Sequence, residues 1–204
     1  LIRNTYMLLS MTLLFSAATA GISMVYNFPH PGMLITLVGY FGLLFLTSAL
    51  RNSAWGIASV FALTGFMGLT LGPIINLYVH TFANGTELVM TALGGTGAIF
   101  VGLSAYALST RKDFSFMGGF VMVGILVAFL AGIAALIFNL PTLSLAVSGM
   151  FVLLMSGYIL YQTSAMIHGG ETNYIMAATG VYMSLFNIFV SLLHLLMALA
   201  GSRD

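Results

Sequence analysis

The stretch Tyr158–Ile175, YILYQTSAMIHGGETNYI, decides how the C-terminal third of the chain folds. Gln162, Thr163, Ser164, His168, Glu171, Thr172 and Asn173 crowd into a few turns, between long apolar runs on either side. Gly169 and Gly170 suit the left-handed C-cap of one helix, and Thr172 or Asn173 suits the N-cap of the next. The stretch therefore reads as a seam between two helices, Leu143–Ile167 and Tyr174–Ala200. Each exceeds the roughly 20 apolar residues that cross a bilayer.

The same punctuation recurs upstream. NFPHPG, RNSAW, HTFANGT, TRKDFS and NLPT separate five further apolar spans: Asn4–Tyr26, Met33–Leu50, Gly56–Val79, Glu87–Ser109 and Phe116–Phe138. Of 204 residues, 60% are hydrophobic and only 4% charged, against about 25% charged in a soluble domain. No soluble surface can be built from so few charges. The expectation is an all-α integral membrane protein, one domain over residues 1–204 with seven transmembrane helices. The chain opens on Leu1 rather than Met, so a cytoplasmic tail ahead of it is expected; the first helix is too long for a signal peptide.

Charge and cysteine content exclude several classes. A net charge of +1 without a basic patch gives no nucleic-acid surface, and the absence of cysteine removes disulfides, thiolate metal sites and thiol nucleophiles. The basic residues set an orientation: Arg3, Arg51, Arg111 and Lys112 fall on one side under this division and only Arg203 on the other. Lys and Arg favour the cytoplasmic face. The N-terminus and loops 51–55, 110–115 and 168–173 are thus expected in the cytoplasm, with the GSRD tail outside.

In lipid, small residues mark where helices meet, because they admit close backbone approach. Gly68 with Gly72, Gly94 with Ala98 and Gly102, and Gly124 with Ala128 and Gly132 are three such series. In the last span Gly180, Ser184, Asn187, Ser191 and His194 line one helical face. That stripe places the seventh helix inside the bundle.

Several features invite a chemical reading. Pro73 removes a backbone donor inside the third span and predicts a kink, with Asn76 placed to satisfy a freed carbonyl. Asp113 is expected to N-cap the fifth helix, and Glu87 to sit in the first turn of the fourth. None of the four acids lies near a bilayer centre, which argues against proton-coupled transport. His30, His80, His168 and His194 are scattered, so no metal site is expected. Ser148 and His194 lie at similar depth, as in a membrane serine protease, but Ala146 breaks the Gly-x-Ser-Gly pattern and no oxyanion segment follows. The only lysine is Lys112, which excludes a retinal Schiff base in the last helix. Neither catalysis nor a cofactor is expected.

Four stretches together resemble the Bax inhibitor-1 family, and in particular its bacterial YccA-like branch. They are GFMGLTLGPIINLY at 65–78, RKDFSFMGG at 111–119, GYILYQTSAMIHGGETNYI at 157–175 and VYMSLFNIFVSLL at 181–193. The resemblance implies six helices around a central seventh. It also implies two activities: a cation or calcium leak, and modulation of the membrane-anchored AAA+ protease FtsH. Leak-type members carry a pH-sensing acid pair, and matching motifs puts that pair at Gln162 and Ser184. Two close carboxylates share a proton and respond to pH; a Gln–Ser pair does not.

The expected function is therefore a non-enzymatic inner-membrane protein that binds and modulates that protease. The alternative is a leak lacking the acid sensor, and a third is a membrane chaperone or scaffold. Gln162, Ser184, Asn187 and His194 are the latch or pore candidates. Pro73 and Asn76 are the kink, and Arg111, Lys112, Asp113, His168, Glu171 and Asn173 the cytoplasmic contacts.

Overall fold

The computed structural model describes residues 1–201, and the Ser202–Asp204 tail, with Arg203, lies outside the described residues. Seven helices follow in order: α1 Ile2–Val25, α2 Met33–Ala49, α3 Ala54–Thr81, α4 Gly85–Thr110, α5 Met117–Ile137, α6 Pro141–Ile167 and α7 Tyr174–Gly201. No strand occurs among the described residues. The ends fall close to the breakers because lipid forces each segment to satisfy its own backbone. Pro141 opens α6 at its first turn, where a missing N–H costs nothing. Gly169, at φ 83°, supplies the left-handed residue that ends it.

Six helices are long and apolar enough to cross a membrane, whereas α2 is a shorter apolar helix of 17 residues. At about 1.5 Å per residue it reaches the lower limit for crossing, so the side on which the N-terminus lies depends on α2. Reporters fused at Arg3 and Arg51 should read one side and a reporter at His30 the other. Matching signals at His30 and Arg51 would lay α2 along the surface.

The chain divides into two compact units. The first holds residues 1–85 and 171–182. In it Thr5, Leu8, Leu9, Thr12, Ser16, Ala20 and Ser23 form the buried stripe of α1. This stripe meets the glycines of α3. A methyl at Gly68 would collide with the Ser16 carbonyl and with Thr19, and one at Gly72 would stand 2.5 Å from the Ser23 Cβ. The Gly68/Gly72 expectation thus corresponds to a real backbone approach.

Pro73 lies inside α3, and the carbonyl left without its helical donor is that of Leu69, four residues earlier. It accepts the Ser23 hydroxyl of α1 at 3.0 Å. Asn76, expected to serve that carbonyl, instead donates to the Met24 carbonyl at 3.1 Å. It thereby satisfies one of the orphan acceptors at the end of α1. The Tyr182 hydroxyl lies 2.5 Å from the Ser16 hydroxyl and donates to the Thr64 carbonyl at 3.4 Å.

The second unit holds residues 86–170 and, among the described residues, 183–201. A methyl at Gly124 would press on Leu154 of α6 at 2.5 Å, and one at Gly118 on the Tyr161 ring at 2.8 Å. Ala128 is fully buried, so the Gly124/Ala128/Gly132 series does mark a contact, between α5 and α6. The series on α4 does not. Gly94, Ala98 and Gly102 are exposed, and nothing lies within 4 Å of a methyl added at Gly94 or Gly102. The buried face of α4 runs through Leu88, Ala92, Thr96 and Ala107 instead. Small residues permit close approach without choosing the face that uses it.

Along α7 no residue from Tyr174 to Ala198 is exposed. By contrast α5 presents Phe120, Val123, Leu130 and Ile137 outward, each more than half exposed. In a soluble protein such a surface would aggregate; against acyl chains it is the natural exterior.

Candidate functional site

Among the described residues, the charged side chains gather at the helix ends and turns. In the second unit the turn between α4 and α5 is held by its own backbone. Arg111 takes a left-handed φ of 52°, and its N–H still reaches the Ala107 carbonyl at 3.0 Å. The Phe114 N–H donates to the Ser164 hydroxyl of α6 at 2.8 Å, and that hydroxyl reaches the Lys112 carbonyl at 3.3 Å. Asp113 does not cap α5, whose N-cap residue is Phe116. Its carboxylate accepts the Ser115 N–H at 3.0 Å, closing a local turn two residues on.

Hydrogen bonds from Ser115 hold the Asp113 carboxyl below its ordinary value, and the nearby His168 adds to this. The sign follows: a carboxylate favoured in the folded state keeps this turn at neutral pH. The bond is lost only as the pH falls through the lowered pKa. His168 is exposed, with Nδ1 3.0 Å from the Ser164 carbonyl.

In the first unit Asn173 caps α7 as expected. Its Oδ1 accepts the N–H groups of Ile175 at 3.0 Å and Met176 at 3.1 Å. Its amide also donates to the Arg51 carbonyl at 2.9 Å and to Asn52 Oδ1 at 3.1 Å. One side chain thus fixes the start of α7 to the turn between α2 and α3. Glu171, expected to be exposed, is half-buried; its carboxylate accepts the Asn173 N–H at 2.9 Å. Of the loop residues named as contacts, Arg111, Lys112, Asp113 and His168 are exposed.

Among the latch or pore candidates, Gln162 is 4% exposed and Ser184 1%. Neither ionises, so no acid pair exists at these buried positions. Asn187 donates to the Met183 carbonyl of its own helix at 2.8 Å.

The Ser148 hydroxyl and His194 Nδ1 do meet, at 2.7 Å. The bond ties α6 to α7. Ser148 lies inside an unbroken stretch of α6, so the neighbouring N–H groups are spent on the helix ladder and none is left to bind an oxyanion. Ser148→Ala should lower stability by about 1 kcal/mol, the net worth of one such bond. An activity-based fluorophosphonate should leave Ser148 unlabelled, and labelling that disappears with His194→Ala would show a working dyad.

These features define a class: a polytopic helical membrane protein, closed by serine, threonine and glycine contacts, whose exposed charge is confined to turns and to the first turns of helices. The particular family follows from comparison. The sequence profile described as Inhibitor of apoptosis-promoting Bax1 matches residues 1–201, and the chain belongs to the Bax inhibitor-1 family. It is 53% identical over 195 residues to the Modulator of FtsH protease YccA of Escherichia coli K12, covering 96% of this chain and 88% of that one. It is 51% identical over 203 residues to a protein of Pseudomonas aeruginosa, covering 100% and 90%. Protein lifeguard 4 of the mouse is 29% identical over 206 residues, covering 97% and 84%.

Proposed function

We propose that this protein is a multi-pass protein of the bacterial inner membrane, with a cytoplasmic N-terminus and periplasmic C-terminus, that binds and modulates the membrane-anchored protease FtsH. The observation that carries this reading is the 53% identity, over 96% of the chain, to a protein named as modulator of that protease. The packing supplies a physical route. An AAA+ protease pulls on an end and needs the rest of the substrate to yield. Here α1 and α3 touch through backbone, and each helix dragged out would strand polar groups in lipid. A docked bundle of this kind occupies the protease while yielding slowly, and other membrane substrates wait.

Contact runs through membrane faces and the turns at Arg111–Asp113 and His168–Asn173. Within the latter His168 and Thr172 are the exposed side chains, since Glu171 and Asn173 serve the α7 cap. The test is crosslinking and co-purification with the protease, together with half-lives of its other membrane substrates during overproduction. Capture and longer half-lives are expected. The absence of both capture and any change in half-life would overturn the reading. Charge reversal at Arg111 and Lys112 should weaken capture, with orientation rechecked by reporter fusion.

The second reading, a cation or calcium leak, rests on family membership. With Gln162 and Ser184 in place of acids, any flux in proteoliposomes should change little between about pH 6 and 8, where only a histidine of ordinary pKa about 6.5 titrates. A steep change that survives His194→Ala would contradict this. Gln162→Asp combined with Ser184→Asp should install pH dependence, at a cost in stability from burying two carboxyls.

A further inference from the structure

The turn between α4 and α5 joins two apolar helices, so it lies at a membrane face, where lipid headgroups are. Arg111 and Lys112 are adjacent there and both exposed. After the left-handed Arg111 the chain doubles back, and Lys112 lies over the last turns of α4 rather than extending into water. Its Nζ is 3.3 Å from the Tyr106 hydroxyl and 5.9 Å from the ring centroid, at the hydroxyl end of the ring. The Tyr106 ring lies 6.1 Å from that of Phe114, which lies 6.4 Å from that of Phe116. Phe116 and Phe120 are 78% and 74% exposed, so apolar surface continues from the ledge down α5. The one acid, Asp113, turns its carboxylate to the Ser115 N–H, and positive charge remains in excess.

We infer that this turn is a seat for the headgroup of an anionic phospholipid. Lys112 and Arg111 take the phosphodiester oxygens. The Tyr106 hydroxyl accepts from Lys112 and so has its own proton to donate to the phosphate. The acyl chains lie over Phe116 and Phe120. Selectivity follows from charge: phosphatidylcholine carries a cation beside its phosphate that opposes Lys112 and Arg111, whereas phosphatidylglycerol carries none. The seat requires no partner protein and stands whether or not the protease docks nearby.

The experiment uses the purified full chain in micelles with phosphatidylglycerol and phosphatidylcholine in equal amounts, and reads retained lipid by native mass spectrometry. Wild type should retain phosphatidylglycerol preferentially. Each cation near an anionic headgroup is worth about 5-fold, so Arg111→Gln with Lys112→Gln should cut the preference about 25-fold. Arg3→Gln with Arg51→Gln should leave it unchanged, and Lys112→Arg should retain most of it. Should the double variant fail to fold, Tyr106→Leu, which frees Lys112 from its ring, should lower the preference several-fold. Inorganic phosphate in excess should not displace the lipid; displacement would mark a free-anion site instead. Undiminished preference in the Arg111/Lys112 or Tyr106 variants, or an equal loss in the Arg3/Arg51 variant, would overturn the assignment.

Discussion

Gly68→Leu should leave little folded protein. The added atoms would enter the space of the Thr19 side chain and also of the Ser16 carbonyl, which is backbone and cannot swing away. Overpacking a core typically costs about 1–3 kcal/mol when neighbours adjust. Here the neighbour is backbone, so α1 and α3 must separate. Separation also breaks the Ser23–Leu69 bond at 3.0 Å and makes Tyr182 give up either Ser16 of α1 or the Thr64 carbonyl of α3. A loss of more than about 3 kcal/mol is expected, a large part of a typical stability of about 5–15 kcal/mol. The checks are the yield of monodisperse protein and its Tm in detergent. Gly68→Ala should fall between the two. Gly94→Leu is the control, because nothing lies within 4 Å of a methyl there; its cost should stay below about 1 kcal/mol, near that of a surface change. A wild-type Tm for Gly68→Leu would mean that α1 and α3 do not touch as described.

The second large effect belongs to Asn173. Its side chain accepts two N–H groups at the start of α7 and donates to Arg51 and Asn52. Asn173→Ala removes all four bonds. An N-cap is worth about 1 kcal/mol, and each of the two further bonds about 0.5–1.5 kcal/mol, so a loss of about 2–4 kcal/mol is expected. Asn173→Asp separates the two roles. It keeps the acceptor at the cap and gains from the helix dipole, but it sets a carboxylate against the Arg51 carbonyl and the Asn52 oxygen. Its Tm should lie between wild type and Asn173→Ala. Equal Tm values for the two variants would show that the tie to the α2–α3 turn, and not the cap, carries the stability. If the modulator reading holds, Asn173→Ala should also be degraded faster in cells, because the loosened end of α7 offers the protease somewhere to start.

Much of the fold was legible because lipid is a demanding solvent. Each span must close its own backbone bonds, so apolar runs become helices, and Gly169, Pro141 and Asn173 mark ends through local φ/ψ and capping preferences alone. The seam at residues 158–175 could be read for the same reason. The candidate site was legible only in part. Asp113 turned to Ser115 instead of capping α5, and Glu171 was drawn in to the Asn173 N–H. Both outcomes depend on which backbone amide lies nearest, within a turn of only a few residues. The buried stripe of α1, through Thr5, Thr12, Ser16 and Ser23, was present in the sequence at helical spacing and went unread. Short hydroxyl side chains mark a buried face in lipid less plainly than glycine does.

By itself the sequence determined the seven helices, their ends, the absence of a titratable pair at Gln162 and Ser184, and the family. These are properties of single segments or of residue identity, and they need no partner to be decided. Only the tertiary structure decided which faces meet. The Gly68 and Gly124 series became contacts while the Gly94 series stayed on the outside. The carbonyl freed by Pro73 found Ser23 rather than Asn76, Ser148 met His194, and Lys112 folded back onto Tyr106. The physical reason is common to all of these. A small or polar side chain can serve any neighbour that comes within about 3 Å, and which neighbour does so is set by the packing of helices far apart in the chain.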